Sequence, residues 1–320
     1  GNGSSPASPL DQPLPTDATL QSGDQVALPT PILSIVLYAL LFTPLYTLLG
    51  WFEPMPLFFM LLGLDLLVNT SPIQQLNTGS ATTESGSPSH GVLWIGSAIA
   101  AALGFLTKLT PILLLPIAVR WLGSRLSFRA LQTEWFNRSS ARNLLRPTVY
   151  TLVFAVVVIS IGYPVVRSNP ALAFSSFQVQ GLSPPWQSVW ALLDGCYGYG
   201  LVPIDMRNLV ALDTRTWESR IPWSLVSSLF LVLWLWLYTR AYDWTKTRTA
   251  IGFAAVSVIL LFLYSKGWSP QFLVWVLTFV VLLLPTWRGM VVASILAMLN
   301  AIESHIFLVL LPDETWILWY

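Results

Sequence analysis

The stretch of sequence best suited to chemistry is residues 265–275, which read SKGWSPQFLVW. Lys266 and Gln271 lie in this stretch, where two apolar runs, residues 251–264 and 272–285, meet. A glycine and a proline break both helices there and leave backbone groups without intrahelical partners. A lysine beside free amides can bind an anion such as a phosphate at a water-poor boundary. The alternative is a lysine that only extends its ammonium group from an apolar turn to water.

Four other ionisable residues are candidates for the same chemistry. Lys108 lies beside a predicted helix break and could face the anion or simply reach an interface. Asp194 and Asp205 lie in residues 167–220 and could act as the base that an acceptor hydroxyl needs. Asp194 precedes a glycine, as turn residues do, and Asp205 could pair locally with Arg207, a further phosphate candidate. Each residue therefore has a structural alternative to its chemical role.

Composition favours a membrane protein. The chain is 54% hydrophobic and 10% charged, and its mean hydropathy is +0.64. A soluble domain usually carries about 25% charged residues. One cysteine, Cys196, allows no internal disulfide, and two histidines argue against a histidine-based zinc site. The sequence therefore predicts no metal ligands and no definite cofactor, and it leaves open whether a divalent metal is required.

The distribution of charge predicts a topology. Residues 1–29 contain no Lys or Arg and read as a flexible segment. Residues 30–320 predict an all-α, polytopic transmembrane helix bundle of about seven or eight spans. The loop at residues 120–147 holds six arginines against one glutamate, which predicts a cytoplasmic position. Residues 167–220 then form one large extracytoplasmic loop, on the same side as Lys266.

Residues 92–121 leave one choice of topology open. The run is apolar, too long for one straight span, and interrupted by Lys108 and two prolines. Either a broken helix crosses once, or two short helices form a V. The charge rule favours the single broken crossing, which places residues 1–29 and 69–91 outside. Two crossings would place both segments inside.

Three segments resemble a known family. Residues 106–116, LTKLTPILLLP, resemble the TKLTPxLLLP segment of GT-C type membrane glycosyltransferases. Residues 265–275 resemble the K-x-x-SPQ-aromatic-LxW segment of their polyprenyl-phosphate-mannose-dependent branch. Residues 186–200, WQSVWALLDGCYGYG, are similar to an extracytoplasmic loop of bacterial relatives. The likeness extends over most of the chain, residues 28–320.

The resemblance implies an integral protein of the bacterial cytoplasmic membrane that takes a sugar, expected to be mannose, from a polyprenyl phosphate. The acceptor is met at the extracytoplasmic face. The partners implied are the polyprenyl-phosphate-linked sugar and membrane lipid. Nucleic acid is not among them, because no aromatic and basic face accompanies the arginines. The candidate catalytic residues are Asp194 and Asp205, and the candidate phosphate ligands are Lys108, Arg207, Lys266 and Gln271.

A second function class remains open. In the GT-C superfamily the usual catalytic acid lies in the first extracytoplasmic loop, and we expect the part of the protein that carries it to lie upstream of residue 1. The acids within residues 1–29 lie in a Pro/Ser-rich segment without a motif. The alternative is a non-catalytic membrane subunit or scaffold of a larger complex. A transporter is less favoured, because the hydrophobic pattern shows no inverted repeat.

Overall fold

The computed structural model describes residues 31–50, 52–70, 89–123, 138–195 and 219–304. These residues form twelve α-helices and no strand, so the predicted all-α class is confirmed for them. The helices are α1 Pro31–Leu40, α2 Phe42–Gly50, α3 Pro54–Val68, α4 Ser89–Thr107, α5 Leu114–Leu122, α6 Arg138–Ser168, α7 Pro170–Leu182, α8 Val189–Asp194, α9 Trp223–Thr239, α10 Thr247–Tyr264, α11 Leu273–Leu283 and α12 Trp287–Ala301. Two of the described helices, Leu144–Ser168 within α6 and Thr247–Tyr264, are long and apolar enough to cross a membrane, by length and composition alone.

Prolines set several helix boundaries. Pro54 is the first residue of α3, where its missing N–H removes no intrahelical bond. Two short 3-10 helices, Thr110–Leu113 and Pro270–Phe272, precede α5 and α11, and each has a proline in its first two positions. The predicted helix breaks near Lys108 and Lys266 are therefore present.

The bundle has two ends, which we call the Lys108 end and the Arg120 end. At the Lys108 end, Glu53 before α3 forms an ion pair with Lys108 after α4. At the Arg120 end, the Trp121 indole N–H donates to the Thr70 hydroxyl at 3.3 Å. Because Glu53 and Thr70 flank α3, these two contacts mark its opposite ends. It follows that α4 runs antiparallel to α3 and that α5 runs antiparallel to α4.

The prediction of a single broken helix over residues 92–121 is therefore wrong. Two antiparallel helices occupy this run and form the V that was the alternative. Their close approach depends on Gly104, where a Cβ would lie 2.9 Å from the Cβ of Pro111. Both helix ends that flank residues 71–88 consequently lie at the Arg120 end. Residues 1–29 themselves lie outside the described residues.

Basic side chains of the described turns gather at the Arg120 end. The Arg120 guanidinium donates to the carbonyl of Arg240 at 3.1 Å. Arg248 donates to the carbonyl of Leu283 at 3.1 Å. Since Lys266 follows α10 and Arg248 lies at its beginning, Lys266 is at the opposite end from these arginines.

The core lies between α3, α4, α5, α6, α10 and α11. Its largest fully buried side chains include Met60, Leu114 and Trp275. Ser97 makes the polar connection within this core, because its hydroxyl donates to the carbonyl of Gly63 at 2.6 Å and lies 3.2 Å from the Tyr150 hydroxyl. These contacts hold α3, α4 and α6 at fixed positions along the bundle axis. Their positions determine which residues lie next to one another at the Lys108 end.

Candidate functional site

Two of the three segments that carry the family resemblance meet at the Lys108 end. The 3-10 helices reverse the chain after Lys108 and before Leu273, so both segments present a turn at the same end. The Lys108 ammonium nitrogen lies 4.2 Å from the centroid of the Phe272 ring. Residues 106–116 and 265–275, far apart in sequence, are thus in direct contact.

A buried carboxylate joins the two segments, and the sequence interpretation missed it. Glu53 is only 6% exposed. Its Oε1 accepts from the Lys108 ammonium, and its Oε2 accepts from the Trp275 indole N–H at 2.7 Å. The one sequence signal was an acid directly before Pro54, at the end of an apolar run. An ionisable group in such a position is a functional candidate by default.

Lys108 keeps part of its surface open. Its side chain is 32% exposed, against 7% for its partner Glu53. An ammonium group has three donors, and the described contacts use one of them on Glu53 and place another face over an aromatic ring. The remaining donor capacity can serve a phosphate oxygen, a stronger acceptor than water.

Lys266 lies in a second cluster at the same end. Its ammonium group donates to the carbonyl of Gly181 at 2.8 Å and lies 5.2 Å from the centroid of the Trp223 ring. Burial lowers the pKa of Lys266, and the nearby Asp194 carboxylate opposes that shift. A single neutral carbonyl is a weaker partner for an ammonium than a phosphate would be, so this contact can be exchanged.

Asp194 is buried and anchors the chain beside α9. Its side chain accepts hydrogen bonds from the Arg220 backbone N–H at 2.6 Å and from the Ser219 hydroxyl at 2.8 Å. The residue is 3% exposed. The next residue, Gly195, has φ +73°, the left-handed conformation of a helix C-terminus. This geometry matches the structural alternative of a turn residue, and a role as base requires one of these bonds to open.

The chain before α8 docks on the turn that holds Lys266. The backbone N–H of Trp186 donates to the carbonyl of Lys266 at 3.1 Å, and the N–H of Trp268 donates to the carbonyl of Trp186 at 3.1 Å. The Ser188 hydroxyl adds a hydrogen bond to the Lys266 carbonyl at 2.8 Å. A Cβ on Gly267 would lie 2.1 Å from the Trp186 ring, so this close approach requires glycine.

The remaining predicted site residues have different outcomes. Gln271 accepts a hydrogen bond from the Ser269 hydroxyl within the turn, at the Lys108 end. Asp205 and Arg207 lie outside the described residues, and the structure gives no position for them. Within the described ranges no group of three or more His, Cys, Asp or Glu side chains could hold a metal ion.

No family model, no curated protein and no solved structure matches the chain. The candidate site contains two lysines, Lys108 and Lys266, and two buried carboxylates, Glu53 and Asp194, around a pair of helix breaks at one end of the bundle.

Proposed function

We propose that this chain is an integral membrane glycosyltransferase of the GT-C kind, acting at the extracytoplasmic face of a bacterial cytoplasmic membrane. It would move a sugar, expected to be mannose, from a polyprenyl phosphate to an acceptor hydroxyl. The observation that carries the proposal is the contact between residues 106–116 and 265–275 at one end of the bundle. It supports the proposal because Lys108 and Lys266 then lie at the same end of the bundle, where we propose that the phosphate of a lipid carrier binds.

The outer surface of the bundle supports a membrane location. Helix α9 contains no buried residue, and Leu225, Leu229 and Val232 on it are exposed. Apolar area left in water costs about 25 cal/mol per Å² relative to burial, so a surface of this kind favours lipid as its environment. The basic turns around Arg120 and Arg248 favour the cytoplasm for their end, which leaves the Lys108 end outside.

The proposed reaction is a displacement at the anomeric carbon of the sugar. The acceptor oxygen forms a bond to that carbon while the bond from the carbon to the phosphate oxygen breaks. The electron pair leaves on the polyprenyl phosphate, whose added charge the ammonium groups of Lys108 and Lys266 stabilise. The hydroxyl proton passes to a carboxylate, for which Asp194 and Asp205 are the predicted candidates. At Asp194 the acceptor hydroxyl would replace the Ser219 hydroxyl.

One observation favours the second candidate, a non-catalytic membrane subunit. Glu53 and Asp194 are both engaged, since each oxygen of these two carboxylates accepts a hydrogen bond. Such saturation is typical of structural polar contacts in a bundle interior. In this case the same scaffold would dock a partner protein at the Lys108 end and transfer no sugar.

We expect Lys266→Ala to abolish sugar transfer while leaving the protein folded. Removing one cation from the leaving phosphate should lower the rate by about 100-fold or more. The measurement is transfer from polyprenyl-phosphate mannose to acceptor in proteoliposomes. Lys246→Ala is the matched control, because Lys246 is exposed at the Arg120 end and pairs with Asp243 at 3.2 Å.

The outcomes of this assay separate the two candidates. A wild-type protein that transfers no sugar, with or without added divalent metal, favours the non-catalytic subunit. A Lys266→Ala protein as active as the wild type contradicts the role given to Lys266 but leaves the enzyme proposal standing.

A further inference from the structure

A groove at the Arg120 end lies apart from the candidate site. It is enclosed by α1, α3, α10 and α11 and has a volume of about 430 Å³. Pockets that hold organic ligands span about 300–1,000 Å³. Its walls are mainly aliphatic and include Ile35, Leu61, Val68, Ile251 and Val281. An elongated apolar group fits such walls better than a polar metabolite does.

The polar atoms inside the groove already have partners. The hydroxyl groups of Tyr38 and Thr278 lie 2.8 Å apart, and both also lie within reach of the carbonyl of Val274. These contacts satisfy the polar groups at the inner wall. A ligand therefore needs no polar group to satisfy the hydroxyl groups at the inner wall of the groove.

The rim of the groove differs, because it carries an exposed carboxylate. Asp65 lines the groove, and its Oδ1 accepts from the Asn69 side chain at 3.1 Å. No lysine or arginine of the described residues forms an ion pair with Asp65. A carboxylate beside an apolar groove is complementary to a ligand that joins a cation to a hydrocarbon chain.

Two segments of the chain adjoin helices that line the groove, and neither contains a lysine or arginine that could pair with Asp65. Residues 1–30 contain three aspartates and no Lys or Arg, and they precede α1. Residues 71–88, which follow Asn69 and the end of α3, contain one glutamate and again no Lys or Arg. Charge complementarity therefore favours a separate ligand over either segment.

A cation near the same rim, Arg248, can bind the phosphate of a zwitterionic headgroup. Arg248 follows the groove residue Thr247, and its guanidinium donates to the carbonyl of Leu283, next to the groove residue Leu282. A guanidinium has five N–H donors, so this single bond leaves donors for a phosphate. Asp65 and Arg248 thus offer an acceptor for an ammonium and a donor set for a phosphate.

We propose that this groove binds a phospholipid whose headgroup carries a primary ammonium, with its acyl chain between the helices and its ammonium on Asp65. A primary ammonium donates hydrogen bonds to the carboxylate, whereas a quaternary ammonium has no N–H to donate and phosphatidylglycerol has no cation for Asp65. The proposal rests on the membrane location proposed above but not on sugar transfer, since the groove is at the opposite end from Lys108 and Lys266.

The test is native mass spectrometry of lipid retained by protein purified from vesicles of equal phosphatidylethanolamine, phosphatidylglycerol and phosphatidylcholine. We expect the wild type to retain phosphatidylethanolamine preferentially. Asp65→Asn should lower that preference by roughly tenfold, the loss of one charge-assisted hydrogen bond. Ile35→Trp should remove the lipid by filling the groove, because Ile35 lines it and is 65% exposed.

Val36→Trp is the matched control for the filled groove. Val36 is the next residue on α1, is 46% exposed and does not line the groove, so its variant should keep the lipid. Unchanged preference in both Asp65→Asn and Ile35→Trp would overturn the proposal, as would wild-type protein that retains no phosphatidylethanolamine or prefers an anionic or quaternary headgroup. Sugar transfer measured on the same preparations is expected to be unaffected by Asp65→Asn, so that failure of one proposal is distinguishable from failure of the other.

Discussion

Gly267→Ala should detach the chain before α8 from the Lys266 turn and abolish the function of the Lys108 end. The added Cβ would lie 2.1 Å from the Trp186 ring, a separation that real Cβ atoms do not show. Either the ring or the turn must move, and overpacking of this kind costs about 1–3 kcal/mol or more. Thermal unfolding and limited proteolysis of the purified protein measure the effect, and the transfer assay measures its functional consequence.

Two further variants isolate the cause of that loss. Gly252→Ala is the control, because a Cβ at Gly252 meets nothing within 4 Å. Trp186→Ala added to Gly267→Ala removes the clashing ring and should restore part of the stability. If Gly267→Ala unfolds and transfers like Gly252→Ala, the docking of Trp186 on the turn is contradicted.

Glu53→Ala should destabilise the bundle by about 3 kcal/mol, the lower part of the range for breaking a buried ion pair. The variant leaves the Lys108 ammonium without its counter-ion and the Trp275 indole N–H without its acceptor. The lower value applies because Lys108 is 32% exposed, so water can reach part of the unpaired charge. Unfolding by heat or denaturant in detergent measures the change in free energy.

A double-mutant cycle distinguishes the ion pair from a general loss of packing. Glu53→Gln keeps an acceptor for Trp275 but loses the charge, and Lys108→Met removes the ammonium while keeping an apolar stem. The double variant should lose less stability than the sum of the two single losses, with a coupling of about 0.5–3 kcal/mol. Additive losses would contradict a direct interaction between Glu53 and Lys108.

The local breaks in the chain could be predicted from sequence, but the direction of the helices between them could not. Pro111 and Pro270 marked both helix interruptions, because proline has no N–H for a preceding helical turn. The charge rule favoured one crossing of residues 92–121, because the preceding segment, residues 69–91, contains no Lys or Arg and was therefore placed outside. The absence of basic residues is weak evidence for a side, and here it led to the wrong choice. The close packing of Gly104 on Pro111 is a contact that charge counting does not register.

The position of Glu53 depended on that same choice. The sequence showed a lone acid in a turn after one apolar run and a lone lysine after another. Only when α4 and α5 form a V does Lys108 fall at the same end as Glu53, so that the two can pair. Asp194 differs from Glu53 in this respect. Its position before a glycine already indicated, from sequence alone, the turn that the structure contains. Its partners Ser219 and Arg220 come from beyond residues 196–218 and could not be read from local pattern.

Mass spectrometry of polyprenyl phosphate bound to the purified protein tests most directly whether the Lys108 end is a lipid-phosphate site. We expect the wild type to retain polyprenyl phosphate and Lys246→Ala to retain the same amount. Lys266→Ala should retain roughly tenfold less polyprenyl phosphate, as expected for the loss of one charge-assisted contact to phosphate. Wild-type protein that retains no polyprenyl phosphate when supplied with it, or Lys266→Ala protein that retains the full amount, would contradict this assignment.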